Sequence, residues 1–131
     1  MKRSVMLTIA SLLSILLLTF HLADDIVRGF ERGGVSTLTG VLILVVWLYA
    51  TLVLADRRTR YVILLLGSFL ASGVPVLHMR GSGLVGGNIA NSSGVFFWVW
   101  TLIALGVTSI FSVILSARGL IGFSRRKINH E

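Results

Sequence analysis

The chain contains no cysteine, which removes disulfides, thiolate metal ligands, cysteine nucleophiles and thiol redox chemistry together. It has one proline, Pro75, so there is a single place where a missing backbone N–H interrupts a helix. Charge is scarce: Asp, Glu, Lys and Arg make up 13% of 131 residues, and only five of them are acids. Soluble domains carry about 25%, so this composition does not describe an ordinary soluble enzyme or nucleic-acid-binding domain. No serine, histidine and acid present themselves as a catalytic triad, and the expectation is a protein without enzymatic activity.

What is abundant is apolar sequence: 55% of the residues are hydrophobic and the mean hydropathy is +0.92. It falls into four segments, about 5–25, 35–55, 61–79 and 95–117, each near the ~20 helical residues that cross a hydrocarbon core of roughly 30 Å. Strands of a membrane barrel would alternate apolar and polar residues, and these runs do not. The expected fold is an all-α integral membrane protein, a four-transmembrane-helix antiparallel bundle forming one domain over 1–131. The start, MKRSVMLTIASLLSILLLTF, has the basic head and apolar run of a signal peptide. A cut after Ala23 would put His21 at position −3, however, and the run is long enough to span, so it is read as the first helix.

The basic residues are unevenly placed. Lys2, Arg3, Arg57, Arg58, Arg60, Arg118, Arg125, Arg126 and Lys127 fall on one side of such a bundle with Asp56 and Glu131, whereas Arg28, Arg32 and Arg80 balance Asp24, Asp25 and Glu31 on the other. Positive charge marks the cytoplasmic side, so both termini are expected inside, as in a bacterial inner membrane. The pI near 11.4 follows from that orientation, and nucleic acid is not expected as a partner. The basic tail 118–131 also carries Leu120, Ile121 and Phe123, which suits contact with anionic lipids at the cytoplasmic face. Four short helices bury only a thin interior, so a homo-oligomer or a partner membrane subunit is expected.

Polar side chains indicate which faces turn inward. Ser4, Leu7, Ser11, Ser14, Leu18, His21 and Asp25 form a heptad stripe on helix 1. Thr101, Ala104, Thr108, Ser112 and Ser116 make a second stripe on helix 4, and Gly67, Ser68, Ala71, Ser72 and His78 a third on helix 3. Ser11, Ser14, Thr108 and Ser112 suit either a pore lining or a packing seam. Gly33 and Gly34 are expected to stop helix 1, Ser36 or Thr37 to cap helix 2, and Asn91, Ser92 or Ser93 to cap helix 4. Trp98 and Trp100 are expected at the headgroups.

Helices 1 and 3 run in the same direction in this topology, so His21, Asp24 and Asp25 meet the level of His78, Met79 and Arg80. Either carboxylate lies within one helical turn of His21, and the aspartates are expected at the wet rim with His21 roughly 6 Å deeper. Four readings follow. His21 is a hydrogen-bonded structural histidine and the aspartates pair with Arg28 or Arg80; or His21, Asp24, Asp25 and His78 form a proton or cation site, with a kink at Pro75 freeing the Ala71 carbonyl; or His21, His78 and Asp24 or Asp25 bind a divalent metal; or the two histidines clamp haem b. GSGLVG at Gly81 lacks the strand and helix of a dinucleotide site, and the sequon at Asn91 matters only in a eukaryotic secretory pathway.

Four apolar segments in a short chain are similar in size and layout to the small multidrug transporters and the small fluoride channels. The former would have a glutamate within helix 1, and no acid precedes Asp24. The latter's phenylalanine- and threonine-rich filter is not reproduced by VFFWVWTLIALGVTSIF. The residues themselves favour a small transporter or channel for protons or cations with an outward-facing polar site. The alternatives are a structural or accessory subunit of a membrane complex, or a haem- or metal-binding membrane protein.

Overall fold

Long apolar runs satisfy their backbone groups within each segment by forming helices. The computed structural model is all-helical, with α1 (Arg3–Val27), α2 (Val35–Leu52), α3 (Arg58–Arg80) and α4 (Val95–Ile128). It describes residues 3–30, 34–54, 57–80 and 93–128. GSGLVG, Asn91, Ser92, His130 and the side chains of Ser36, Met79 and Arg80 lie outside the described residues. Three helical stretches, Ser4–Val27, Arg58–His78 and Val95–Arg125, are long and apolar enough to cross a membrane, whereas Thr37–Leu52 of α2 is a shorter apolar helix.

Several boundaries differ from expectation. Helix 1 ends at Val27, before Gly33 and Gly34, because Gly29 takes a φ of +76°. The Phe30 N–H then reaches the Asp25 carbonyl at 2.9 Å and the Gly29 N–H reaches the Ile26 carbonyl at 3.0 Å, a Schellman closure that glycine permits at no steric cost. Helix 2 is preceded by Gly34 as its N-cap, with no side-chain cap bond; its last turn closes through Val53 N–H to the Tyr49 carbonyl, three residues short of expectation. Helix 4 continues through Arg118 to Ile128, so most of the basic tail is helix. Nothing there breaks it: proline is absent, and Gly119 is pressed beneath the Tyr61 ring with no room for a Cβ. Helix 3 likewise runs through Pro75 without interruption, and the proline ring faces Gly106 of α4, where an added Cβ would sit 3.2 Å from Pro75 Cγ.

Contacts fix the direction of each helix. Ser11 of α1 meets Thr51 near the end of α2 at 2.8 Å, Arg60 at the start of α3 bonds Thr8 of α1 at 2.6 Å, and His21 of α1 meets Thr101 near the start of α4 at 3.3 Å. The bundle is therefore antiparallel, with α1 parallel to α3. Helix 4 packs most extensively, against α3 and α1, and α2 lies more lightly against α3 and α1. Leu7, Ser11, Ser14, His21 and Asp25 of the heptad stripe are all buried. Ser14 bonds Thr108 at 3.2 Å and Ser68 bonds Ser112 at 2.7 Å, so these hydroxyls join helices pairwise. Outside, Leu16, Phe20, Leu42, Val45, Phe69, Leu70 and Val107 are exposed. A polar seam inside and apolar side chains around the girth is the arrangement that lipid favours.

Arg60, expected in the connecting loop, is buried in the first turn of α3. Its guanidinium donates to the hydroxyls of Ser4 at 3.2 Å and Thr8 at 2.6 Å; its Nε has no partner. Burial of this charge is compensated by α1 hydroxyls rather than by a carboxylate among the described residues. Trp47 fills the α2–α3 contact by lying directly on Gly67, where a Cβ would come within 2.6 Å of Trp47 Cδ2. Gly67→Ala is therefore expected to destabilise the bundle by about 1–3 kcal/mol, the usual cost of overpacking, seen as a lower midpoint of thermal unfolding in detergent micelles.

Candidate functional site

The site lies where the ends of α1 and α3 meet the start of α4. His21 and Asp25 are one turn apart on α1 and both are buried, at 1% and 4% exposure; Trp98, from α4, is buried beside them at 1%. His78 of α3 is partly buried. The two imidazole rings stand 4.9 Å apart between centroids in an edge-on arrangement, and Trp98 packs against both, at 5.4 Å from His21 and 5.2 Å from His78.

The hydrogen-bond partners determine where the ring protons sit. His78 Nδ1 is 2.9 Å from the Val74 carbonyl; a carbonyl only accepts, so Nδ1 carries the hydrogen. The Thr101 hydroxyl donates to the Trp98 carbonyl at 3.0 Å and so accepts from His21 Nδ1 at 3.3 Å. In its neutral form each imidazole therefore presents a bare Nε2 lone pair on the opposite edge. These two nitrogens face the same oxygen: His78 Nε2 is 3.2 Å and His21 Nε2 3.6 Å from Asp25 Oδ2. The other carboxylate oxygen, Oδ1, accepts the Trp98 indole N–H at 2.8 Å. His21 Nε2 has no hydrogen-bond partner although it is fully enclosed. With both rings neutral, three lone-pair-bearing atoms converge, an arrangement that costs free energy in a poorly solvated interior unless positive charge sits among them.

Asp24 and Asp25, expected together at the wet rim, part company. Asp25 points into the bundle, because it lies on the heptad stripe and Asp24 is rotated off it by the ~100° per residue of a helix. Asp24 instead pairs with Arg28 at 2.7 Å, and Arg28 also donates to the Ser93 carbonyl at 3.0 Å, tying the end of α1 to the entrance of α4. A cleft of about 440 Å³ opens there, lined by Asp24, Val27, Arg28, Ser93, Gly94 and Phe97. Both Nε2 atoms face Asp25 Oδ2, and the two rings stand edge-on against a shared tryptophan.

Trp98 is a correction and an addition: the expected headgroup anchor is instead buried, and its indole holds the carboxylate that the histidines face. Trp100, by contrast, is exposed at 57%. Thr101 also joins the site through His21. The sequence signal for both is their spacing of three residues on the inward stripe of helix 4.

The fold and this cluster define a small helical bundle with apolar helices and a buried two-histidine, one-carboxylate centre. Comparison with known protein families, characterised proteins and solved structures finds no match to this chain.

Proposed function

We propose that the protein is a multi-pass integral membrane protein that binds a cation between His21, Asp25 and His78, acting as a small transporter or channel for protons or cations. The observation that carries this reading is the convergence of His21 Nε2, His78 Nε2 and Asp25 Oδ2, with each imidazole's hydrogen held on the far side by Thr101 or Val74. An ionisable group enclosed in a membrane bundle marks a functional site by default. The basic excess near Arg57, Arg58 and Arg118 supports an orientation with both termini in the cytoplasm of a bacterial inner membrane and anionic lipid beside the end of α4. The His–Asp centre then belongs to the outer end, as does the cleft beside Asp24.

The test is flux in liposomes under an imposed proton or divalent-cation gradient. Wild-type protein is expected to pass the cation, and His21→Ala to lose at least about 90% of that flux with helix content retained, as for removal of an essential pathway group. Silence of the wild type under every proton and cation gradient overturns the reading.

A second reading, an accessory subunit or a homodimer, is favoured by two apolar grooves. One lies between α1 and α4 beside Ile9, Leu13 and Phe111, with a volume of about 210 Å³; the other lies between α2 and α3 beside Val46, Ile63 and Leu70, at about 310 Å³. Each has room for apolar side chains of a partner helix or part of an acyl chain. In that role His21→Ala leaves assembly with the partner intact.

A further inference from the structure

We infer that the cation is a divalent transition-metal ion of the zinc type, ligated by His21 Nε2, His78 Nε2 and Asp25 Oδ2. The inference rests on the cation-site reading above and names its occupant.

A proton serves this geometry poorly. One proton bridges His78 Nε2 and Asp25 Oδ2 at 3.2 Å, but His21 Nε2, at 3.6 Å from the same oxygen, stays enclosed without a partner. A second proton makes two imidazolium rings, 4.9 Å apart, against one carboxylate, leaving net positive charge in the low-dielectric interior. A single metal ion satisfies all three atoms together. The two edges to the carboxylate suit its size. Bonds of about 2.0–2.1 Å in tetrahedral array separate neighbouring ligand atoms by about 3.3–3.4 Å, and the separations from Oδ2, 3.2 and 3.6 Å, bracket that value, with all three ligand atoms within 4.8 Å of one another.

The donors select the ion. Two imidazole nitrogens and one carboxylate suit zinc and its neighbours, whereas calcium and magnesium take oxygen shells and copper(I) takes sulfur. The surroundings are those of a metal site too: metal-ligating histidines nearly always donate their other N–H to a fixed acceptor. Val74, Thr101 and, for the carboxylate, Trp98 supply those outer contacts. Among the described residues only His21, Asp25 and His78 bring ligand atoms within 4.8 Å of one another. Three protein ligands are the number that zinc sites with an exchangeable fourth position use.

The experiment is titration of tag-free protein in detergent with Co²⁺ alone, followed by its visible d–d absorption, and then displacement by Zn²⁺. Expected are one ion per chain, an intensified low-symmetry cobalt spectrum, and at least about a 100-fold loss of affinity in His78→Ala, exceeding the 10–100-fold typical of outer-contact losses. Histidine ¹⁵N resonances of the wild type provide a readout that needs no variant to fold: Zn²⁺ should shift both Nε2 signals and leave both Nδ1–H protons in place. Metal uptake that is unchanged in His78→Ala and moves neither Nε2 overturns the assignment. Absence of any Co²⁺ or Zn²⁺ uptake, with proton or other cation flux still dependent on His21, overturns the metal while leaving the cation site standing. Absence of both uptake and flux removes the two together.

Discussion

Asp25→Asn is expected to stabilise the metal-free protein while destroying its capacity to hold a cation. Asparagine keeps the shape of aspartate, and its amide oxygen retains the Trp98 indole bond, 2.8 Å in the wild type. The opposite amide orientation would set two donors against each other, so the indole fixes which way the amide turns. The amide nitrogen then faces His78 Nε2, 3.2 Å from the present Oδ2, and donates to a lone pair that currently opposes a carboxylate. With His78 neutral, exchanging a contact between two acceptors for a hydrogen bond, and removing a buried charge, is worth about 1–3 kcal/mol. The midpoint of thermal unfolding in micelles, with a chelator present, should rise. Cation affinity should fall by at least about 100-fold, because a ligand and its charge are both lost.

These opposite signs separate function from architecture. If Asp25 were present to brace three helices, Asp25→Asn would lower stability and have no cation to lose. A site that carries unfavourable electrostatics until its ligand arrives is the usual form of the trade between stability and activity. Arg60, at the other end, donates to Ser4 and Thr8 but leaves its Nε unmet, as the His–Asp centre leaves His21 Nε2.

Much of this arrangement is legible in the residue order. Serine, histidine and aspartate among leucines at heptad spacing identify the inward face of α1 because polar groups in an apolar chain have no other favourable direction. The parallel course of α1 and α3 brings His21 to the level of His78. Less legible is which aspartate turns inward. Depth along the helix suggests that both sit at the rim, but their axial difference is only about 1.5 Å and their rotation decides the matter. Asp25 already belongs to the stripe. Trp98 departs from expectation because indoles at helix ends commonly sit at headgroups; only the tertiary contact reveals an N–H directed at a carboxylate. Arg60 reads as a loop residue because charge implies water, and its burial depends on two hydroxyls more than fifty residues away on α1. Gly29 rather than Gly33 ends α1 because the first residue able to take positive φ after the buried turn closes the helix.

Thr101→Val is expected to lower cation affinity by about 10–100-fold without removing any ligand, the range for an outer contact that orients a histidine. Valine matches threonine in shape, so the packing around Trp98 and His21 is conserved. What is lost is the oxygen that accepts from His21 Nδ1 at 3.3 Å. The hydrogen on Nδ1 then has no fixed acceptor, and the ring gains by moving it to Nε2, where Asp25 Oδ2 lies 3.6 Å away and can close to bond it. The same proton that relieves the carboxylate now covers the lone pair a metal needs. The tautomer is directly observable: ¹⁵N spectra of the metal-free variant should show His21 changed from Nδ1–H to Nε2–H, with His78 unchanged because Val74 still holds its Nδ1–H. A variant whose His21 remains Nδ1–H yet binds cations less tightly would mean that Thr101 acts by some route other than the proton it anchors. A changed tautomer with undiminished affinity would mean that the Nε2 lone pair of His21 is not a ligand.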